Sequence, residues 1–299
     1  MHDDSPSVVF IAVGCRLEFR SSHVNRRRLL LFVPLCIAAL HVGAAFAKAP
    51  KSVQEALQKA IASAQRTPAY VKRDRYRHPL ETLEFFGLKP DTAVVEVLPG
   101  GGWYTEILAS FLRDQGHLIE ATPPISSPNP FSRKMAVKYK AKLDADPAVY
   151  GRVTMEPFEP PSYMGLGPPD SVDMIVTFRN IHDFMYANVH GDVSDVIALR
   201  FFRSAYRALK PGGVLGVDAH RAPADMPIAK SFKLGRLPQK YVVSLAERAG
   251  FRLAGTSEIN ANPKDPGTVP VWYLPPMLSG DQNDRAHYEA IGEGDDMTL

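Results

Sequence analysis

The sequence predicts an α/β domain: a mostly parallel, seven-stranded sheet with helices on both faces and an antiparallel edge strand. Three observations lead there. From residue 93 onward, short apolar, β-branched runs alternate with amphipathic helical stretches. The first run passes straight into Pro99-Gly100-Gly101-Gly102 and then into a helical stretch. The last two runs are joined by a loop, which suits an antiparallel return.

The elements follow in order. Residues 48–77 read as helical, with Val53, Leu57, Ala60, Ile61 and Ala64 on one face, until Pro68 interrupts them. A second helical stretch begins near Pro79, carries Leu80, Leu83, Phe86 and Leu88 on its apolar side, and ends at Gly87 and Lys89-Pro90. Strands are predicted at 93–98, 116–122, 153–155, 171–178, 214–218, 251–259 and 269–274. Helices are predicted at 104–113, 133–144, 196–209 and 241–249. Proline-rich loops fill 123–133 and 157–169. There is no internal repeat.

Composition narrows the function. The 299 residues carry 45% hydrophobic and 22% charged side chains, as in a soluble globular protein. A net charge of +3 gives no basis for nucleic-acid binding. Arg26-Arg27-Arg28 precede the apolar run 29–47, which ends Ala45-Phe46-Ala47. That is the layout of a secretory signal cleaved near Ala47, so the expected location is outside the cytoplasm, in the periplasm, with no stable membrane insertion after cleavage. A retained anchor is the alternative, although Pro34 and His41 interrupt the run. Residues 1–23 make that signal unusually long, and a start at Val24 would shorten it. Cys15 and Cys36 both lie in the removed part, which leaves a body without thiol chemistry. The expected organisation is 1–47 extension and signal, 48–89 helical segment, 90–275 main domain and 276–299 tail. No His and acid set has metal-binding spacing.

The glycine turn is the first candidate site. Three glycines let the main chain turn sharply and approach a ligand, and the following helix start offers free N–H groups to an anion. Glu96, inside the preceding apolar strand, needs a partner such as a ligand amine or hydroxyl. Ligands of such sheets bind beyond the carboxyl ends of the strands, where the strand order reverses.

VVEVLPGGGWYTEIL resembles the first motif of class I S-adenosylmethionine-dependent methyltransferases, with Leu98 where the first motif glycine is usual. RALKPGG at 207–213, SVDMIVTFRNIHDF at 171–184 and LAERAGFRL at 245–253 resemble later motifs of that family, in the same order. RHPLETLEFFGLKP, TFRNIH and EINANPKD are similar to a subfamily of exported bacterial proteins. The resemblance implies a Rossmann-like methyltransferase core and S-adenosylmethionine as cofactor. It places cofactor contacts at Glu96, Pro99, Gly100, Gly101, Gly102 and Tyr104, and a ribose contact at Glu120, since Thr122 occupies the usual frame. It also places an adenine contact near Glu159 and a cofactor or acceptor contact at Asn180. His182 and His220 are candidate bases because imidazole titrates near neutrality. Arg179 is a candidate holder of an anionic substrate group.

Two readings follow. One is a methyltransferase acting on a small-molecule or cell-envelope acceptor. The other is a catalytically inactive exported binding protein on the same fold, favoured by Leu98, Thr122 and export away from the cytoplasmic cofactor.

Overall fold

The computed structural model describes residues 10–12, 51–187, 190 and 192–299; the expected signal run 29–47 lies outside them, whereas residues 10–12 belong to the extension expected to be removed with it. The first element is a short strand, β1 (Phe10–Ala12). Four helices follow: α1 (Lys51–Ile61), α2 (Pro68–Val71), α3 (Asp74–Arg77) and α4 (Pro79–Phe85). The alternating part runs β2 (Ala93–Val97), α5 (Thr105–Leu112), β3 (His117–Thr122), α6 (Pro130–Ala145), α7 (Pro147–Tyr150), β4 (Thr154–Pro157) and β5 (Val172–Phe178). Two short strands, β6 (Tyr186–Ala187) and β7 (Val193–Ser194), pair with each other. Then come α8 (Val196–Ala208), β8 (Leu209–Ala222), α9 (Ile228–Ser231), β9 (Leu237–Pro238), α10 (Gln239–Arg248), β10 (Phe251–Arg252), α11 (Arg285–Ile291) and β11 (Asp296–Thr298).

The main sheet has the order β10-β1-β8-β5-β2-β3-β4, with β9 and β11 added along β8. Strands β4, β3, β2, β5 and β8 pair in parallel. The order reverses between β2 and β5, so the loops after these two strands diverge and leave a crevice. Side chains alternate across the sheet. Val94, Met174 and Val176 face a core shared with Leu83, Phe86 and Ile107. Val95, Val97 and Ile175 face the opposite core, with Phe201, Phe202 and Leu245.

The antiparallel position next to β8 is built from two pieces laid end to end. β11 pairs Asp296, Met297 and Thr298 with His220, Ala219 and Asp218. β1 continues along the same edge, pairing Phe10 with Leu215 and Ile11 with Val214, and it also pairs with β10. The expected strand at 269–274 is instead a single 3-10 turn, Val271–Tyr273, and the expected strand at 251–259 is paired over β10 and at one isolated antiparallel bridge, Ser257 to Thr298. Residues 276–299 are not a loose tail: Ile291, Met297 and Leu299 are buried.

Candidate functional site

A cleft of about 440 Å³ opens beyond the carboxyl ends of β2 and β5, at the reversal of strand order. Its floor is main chain. After Val97 the chain turns through Leu98 at φ 51, Gly100 at φ 60 and Gly102 at φ 84. Leu98 therefore holds, with a side chain, the left-handed conformation for which glycine is ordinarily used, at a cost of about 1–2 kcal/mol. Its side chain packs partly against the buried core and also lines the cleft. At Gly102 a Cβ would lie 3.1 Å from both Tyr139 Cε2 and Lys142 Nζ, so a larger residue would be strained by the left-handed backbone and would have to displace these neighbours.

The N-terminal helices brace the turn from outside. Tyr70 donates its hydroxyl to the Gly101 carbonyl at 3.0 Å, and Lys142 of α6 donates to the same oxygen at 2.9 Å. Trp103 donates its indole N–H to the Tyr70 carbonyl at 2.8 Å, with the Arg66 and Arg77 guanidiniums 5.2 and 4.9 Å from its ring centre. Glu106, in the first turn of α5, accepts from the Thr67 amide and hydroxyl and from Lys142. Residues that reached no expectation from sequence, Tyr70, Arg73 and Arg77, thus form one wall of the cleft. The signal for them was the dense cationic run from Lys72 to His78.

Of the expected cofactor contacts, Pro99, Gly100 and Gly101 line the cleft and Gly102 shapes the turn beneath it. Glu96 and Glu120 do not line it. They are register partners on adjacent parallel strands, so their side chains lie next to each other on the face covered by α5 and α6. Glu96 accepts a 2.8 Å bond from Thr105, whose hydroxyl also meets Tyr139 at 2.8 Å. The Glu120 carboxyl makes no well-formed hydrogen bond among the described residues, although Glu96, Tyr139 and Thr105 lie close to it. Burial pushes Glu96 up to about 7. Burial and the Glu96 charge push Glu120 well above the usual carboxylate range. Glu120 is therefore a buried neighbour of Glu96, turned away from the cleft where a ribose ligand would be needed, and Thr122 is the β3 residue that reaches the cleft.

Tyr104 is also internal. It is 1% exposed, stacks on Phe178 with ring centres 3.5 Å apart, and donates to the Arg77 carbonyl at 3.3 Å. Glu159 accepts from Ser127 at 2.7 Å and stays outside the cleft lining. Asn180 lines the cleft, but its amide is used up: Nδ2 donates to the Val97 carbonyl at 2.8 Å and Oδ1 accepts from Thr177. It staples the β2 loop to the β5 loop instead of waiting for a ligand.

Arg179, at φ 63 just after β5, enters a buried acidic cluster supplied by the chain's last residues. It donates to Asp296 at 2.5 Å and to Glu293 at 2.7 Å, and lies 3.9 Å from Asp218. Burial would lower its pKa, but Asp296, Asp218 and Glu293 outweigh that and raise it. Its charge is largely compensated by these acids, although Arg179 also lines the cleft and its Nη2 has no hydrogen-bond partner among the described residues. Glu293 is shared: Arg73 donates at 2.5 and 3.0 Å, and Arg77 at 3.2 Å.

The two histidines lie together, ring centres 5.9 Å apart, away from the cleft lining. His220 Nδ1 contacts Asp296 at 2.6 Å. Burial, and secondarily His220, lower the His182 pKa to about 3, and burial lowers that of His220 as well. Both are neutral at pH 7, and His182 is a weak base. The one carboxylate in the cleft lining is Asp183. Among the described residues no group of three or more His, Cys, Asp or Glu is placed to hold a metal, and no helix is long and apolar enough to cross a membrane.

No family model and no curated protein matches the sequence. Among solved structures, the chain is similar to an S-adenosylmethionine-dependent methyltransferase from Aquifex aeolicus, with a TM-score of 0.48 and 18% identity, covering 69% of this chain and 93% of that one. A second such methyltransferase, from Mesorhizobium loti, gives a TM-score of 0.41 and 16% identity over 71% and 92% of the two chains. A protein from Bordetella parapertussis described as a possible exported protein gives 0.39 and 18% over 67% and 72%. What assigns the fold is the chain's own topology: parallel strands wound outward from β2 and β5, a glycine turn at the switch, and an antiparallel strand beside β8. That is the Rossmann-like methyltransferase architecture.

Proposed function

We propose that the chain is an S-adenosylmethionine-dependent methyltransferase of the periplasm, acting on a small-molecule or cell-envelope acceptor. The observation that carries this reading is the turn: Pro99, Gly100 and Gly101 present main chain to a cleft of about 440 Å³ at the switch between β2 and β5. The lining suits the cofactor. The glycine turn and the start of α5 would hold its amino-acid end, and Thr122 offers a hydroxyl where the ribose diol is expected. Asp183 is the carboxylate that a sulfonium would meet. When bound, the cofactor supplies an electrophilic methyl group. The chain's own part is to orient: Asn180 locks the two loops, Tyr70 and Lys142 fix the turn, and Trp103 and Phe178 keep water from its flank. Asp183 is the lining group placed to receive a proton from the acceptor.

A binding protein without turnover is the second reading. It is favoured by the internal commitment of Arg179, Asn180 and His220. Calorimetric titration with S-adenosylmethionine and with its demethylated product tests both. Micromolar binding that disappears in Gly102→Val, where the added side chain meets Tyr139 and Lys142, supports the cofactor site. A folded protein that binds neither compound overturns it in favour of the second reading.

A further inference from the structure

One wall of the cleft, to which Phe131 and Met135 of α6 belong, continues outward into a surface beyond the lining. Residues 121–143 contain five cations, Arg133, Lys134, Lys138, Lys140 and Lys142, and no acid. Helix α6 turns Ala136, Tyr139 and Leu143 into the protein. Its opposite side follows Phe131, Lys134, Val137 and Lys138, at the three- and four-residue spacing of a single helical stripe. Two of the cations are used: Lys142 pairs with Glu106, and Lys140 with Asp144. Arg133 donates to the neutral Ser127 carbonyl and has no ion-pair partner among the described residues. Lys134 and Lys138 are exposed, with no ion-pair partner among the described residues.

The apolar part of the stripe is what a plain solvated face lacks. Phe131 is 72% exposed and Val137 53%, and Ile125, two residues beyond Pro123 of the cleft lining, is 49% exposed. Across the opening, Val71 follows Tyr70, which shares a wall with Met135 of α6, and it too is exposed. Large apolar tips separated by lysines form no continuous groove-filling ridge of the kind a protein partner's pocket would demand. They match a headgroup layer, in which lysines meet anionic lipid and isolated aromatic or aliphatic tips enter the acyl boundary.

We infer that helix α6 and the loop before it dock the protein on an anionic lipid surface, with the mouth of the cleft turned toward the headgroups. The docking stands apart from the methyltransferase reading. Its consequence for substrate rests on that reading: an acceptor entering past Phe131 and Met135 from a headgroup layer is amphiphilic, with an apolar part left in the membrane.

The test is co-sedimentation of the full chain with vesicles of phosphatidylcholine alone and of phosphatidylcholine mixed with phosphatidylglycerol. The apolar run 29–47 and Arg26-Arg27-Arg28 are common to every sample, so the readout is each variant's partition relative to wild type. Each lysine near such a surface is worth about fivefold in affinity, so Lys134→Gln with Lys138→Gln weakens binding to the anionic vesicles by about 25-fold and leaves binding to the neutral ones unchanged. Phe131→Ser weakens anionic binding at unaltered charge, and does so equally when salt is raised. All these positions are exposed, and circular dichroism checks each fold. Wild-type partition in the double lysine variant overturns the inference. So does wild-type partition of Phe131→Ser, which would mean diffuse adsorption. Self-association of the wild type without vesicle binding overturns it in favour of a second copy of the chain. Failure to bind S-adenosylmethionine leaves the vesicle result untouched and removes only the statement about substrate.

Discussion

Glu293 is the residue by which the chain's last segment grips the wall of the cleft, and replacing it measures that grip. Its side chain is 4% exposed and accepts from Arg73, Arg77 and Arg179. Burial alone would raise its pKa. The Arg179 charge, the Arg73 hydrogen bond and the Arg77 charge outweigh burial and lower it from 4.5 to about 2. A depression of that size corresponds to about 3 kcal/mol of folding stability. Loss of one partner from a buried ion pair costs a similar amount, about 3–5 kcal/mol. Glu293→Gln keeps the shape and removes the charge, so its urea-unfolding free energy at pH 7 should fall by about 3 kcal/mol. The thermal midpoint should fall by about 6–12 °C for a chain of this size. The sign of the pH dependence is fixed. A carboxylate depressed on folding stabilises fully above its unfolded value of 4.5 and loses that contribution as pH falls toward 2. The gap between wild type and variant should hold constant from pH 8 to 5 and narrow below 4.5. A gap under about 1 kcal/mol at pH 7, or one indifferent to acid, would refute the account of a buried carboxylate clamped by three arginines.

The remaining predictions concern the histidines, the glutamate pair and the first strand. In any methyl-transfer assay that the wild type supports, His182→Gln should keep turnover within about tenfold, because the imidazole is neutral, weakly basic and away from the cleft; a loss of about 10²–10⁴ would return it to the chemistry. Glu120 has its pKa raised on folding, so the folded chain holds a proton that the unfolded chain releases, and wild-type stability declines as pH climbs above 4.5. Glu120→Gln should therefore gain on wild type in urea unfolding as pH rises above 4.5, and a flat difference would contradict the buried pair. The chain 48–299 loses β1, whose backbone bonds join β8 to β10. Its urea midpoint should lie below that of the full chain, and equal midpoints would show that the sheet needs nothing from residues 10–12.

The parallel half of the fold was legible because its signals are local. β-branched runs at 93–97 and 172–178 are short, apolar and bounded by turn residues, and the glycines at 100–102 can mean little but a turn. The antiparallel position was not. Residues 269–274 read as a strand from Val269, Val271, Trp272 and Tyr273, yet Pro270 lacks an N–H and Pro275-Pro276 closes the run, and the chain folds there as a single turn. The place beside β8 goes to Asp296, Met297 and Thr298, of which only Thr298 carries a β preference of its own. Long-range pairing with His220, Ala219 and Asp218 selects them, and no window along the sequence contains that information.

The same distinction between near and far contacts decides the site. The sequence placed Arg179, Asn180, His182 and Asp183 correctly on the loop after β5, because a polar run following a buried strand reaches the ligand side of a parallel sheet. It could not say which of them stay free. Arg179 is taken by Glu293 and Asp296, more than a hundred residues away, and His220 by the same Asp296. Register did likewise to Glu120: pairing Val95 with Ile119 sets Glu120 beside Glu96, on the face covered by α5 and α6. Once these groups are discounted, the cleft retains main chain, aromatic faces, Thr122, Ser132, Asp183 and the Arg73 and Arg77 side chains that Glu293 holds. Such a lining has few groups to move protons and many to fix positions. It suits a displacement in which holding two reactants in line supplies most of the rate, and it puts the demand for a free lone pair on the acceptor.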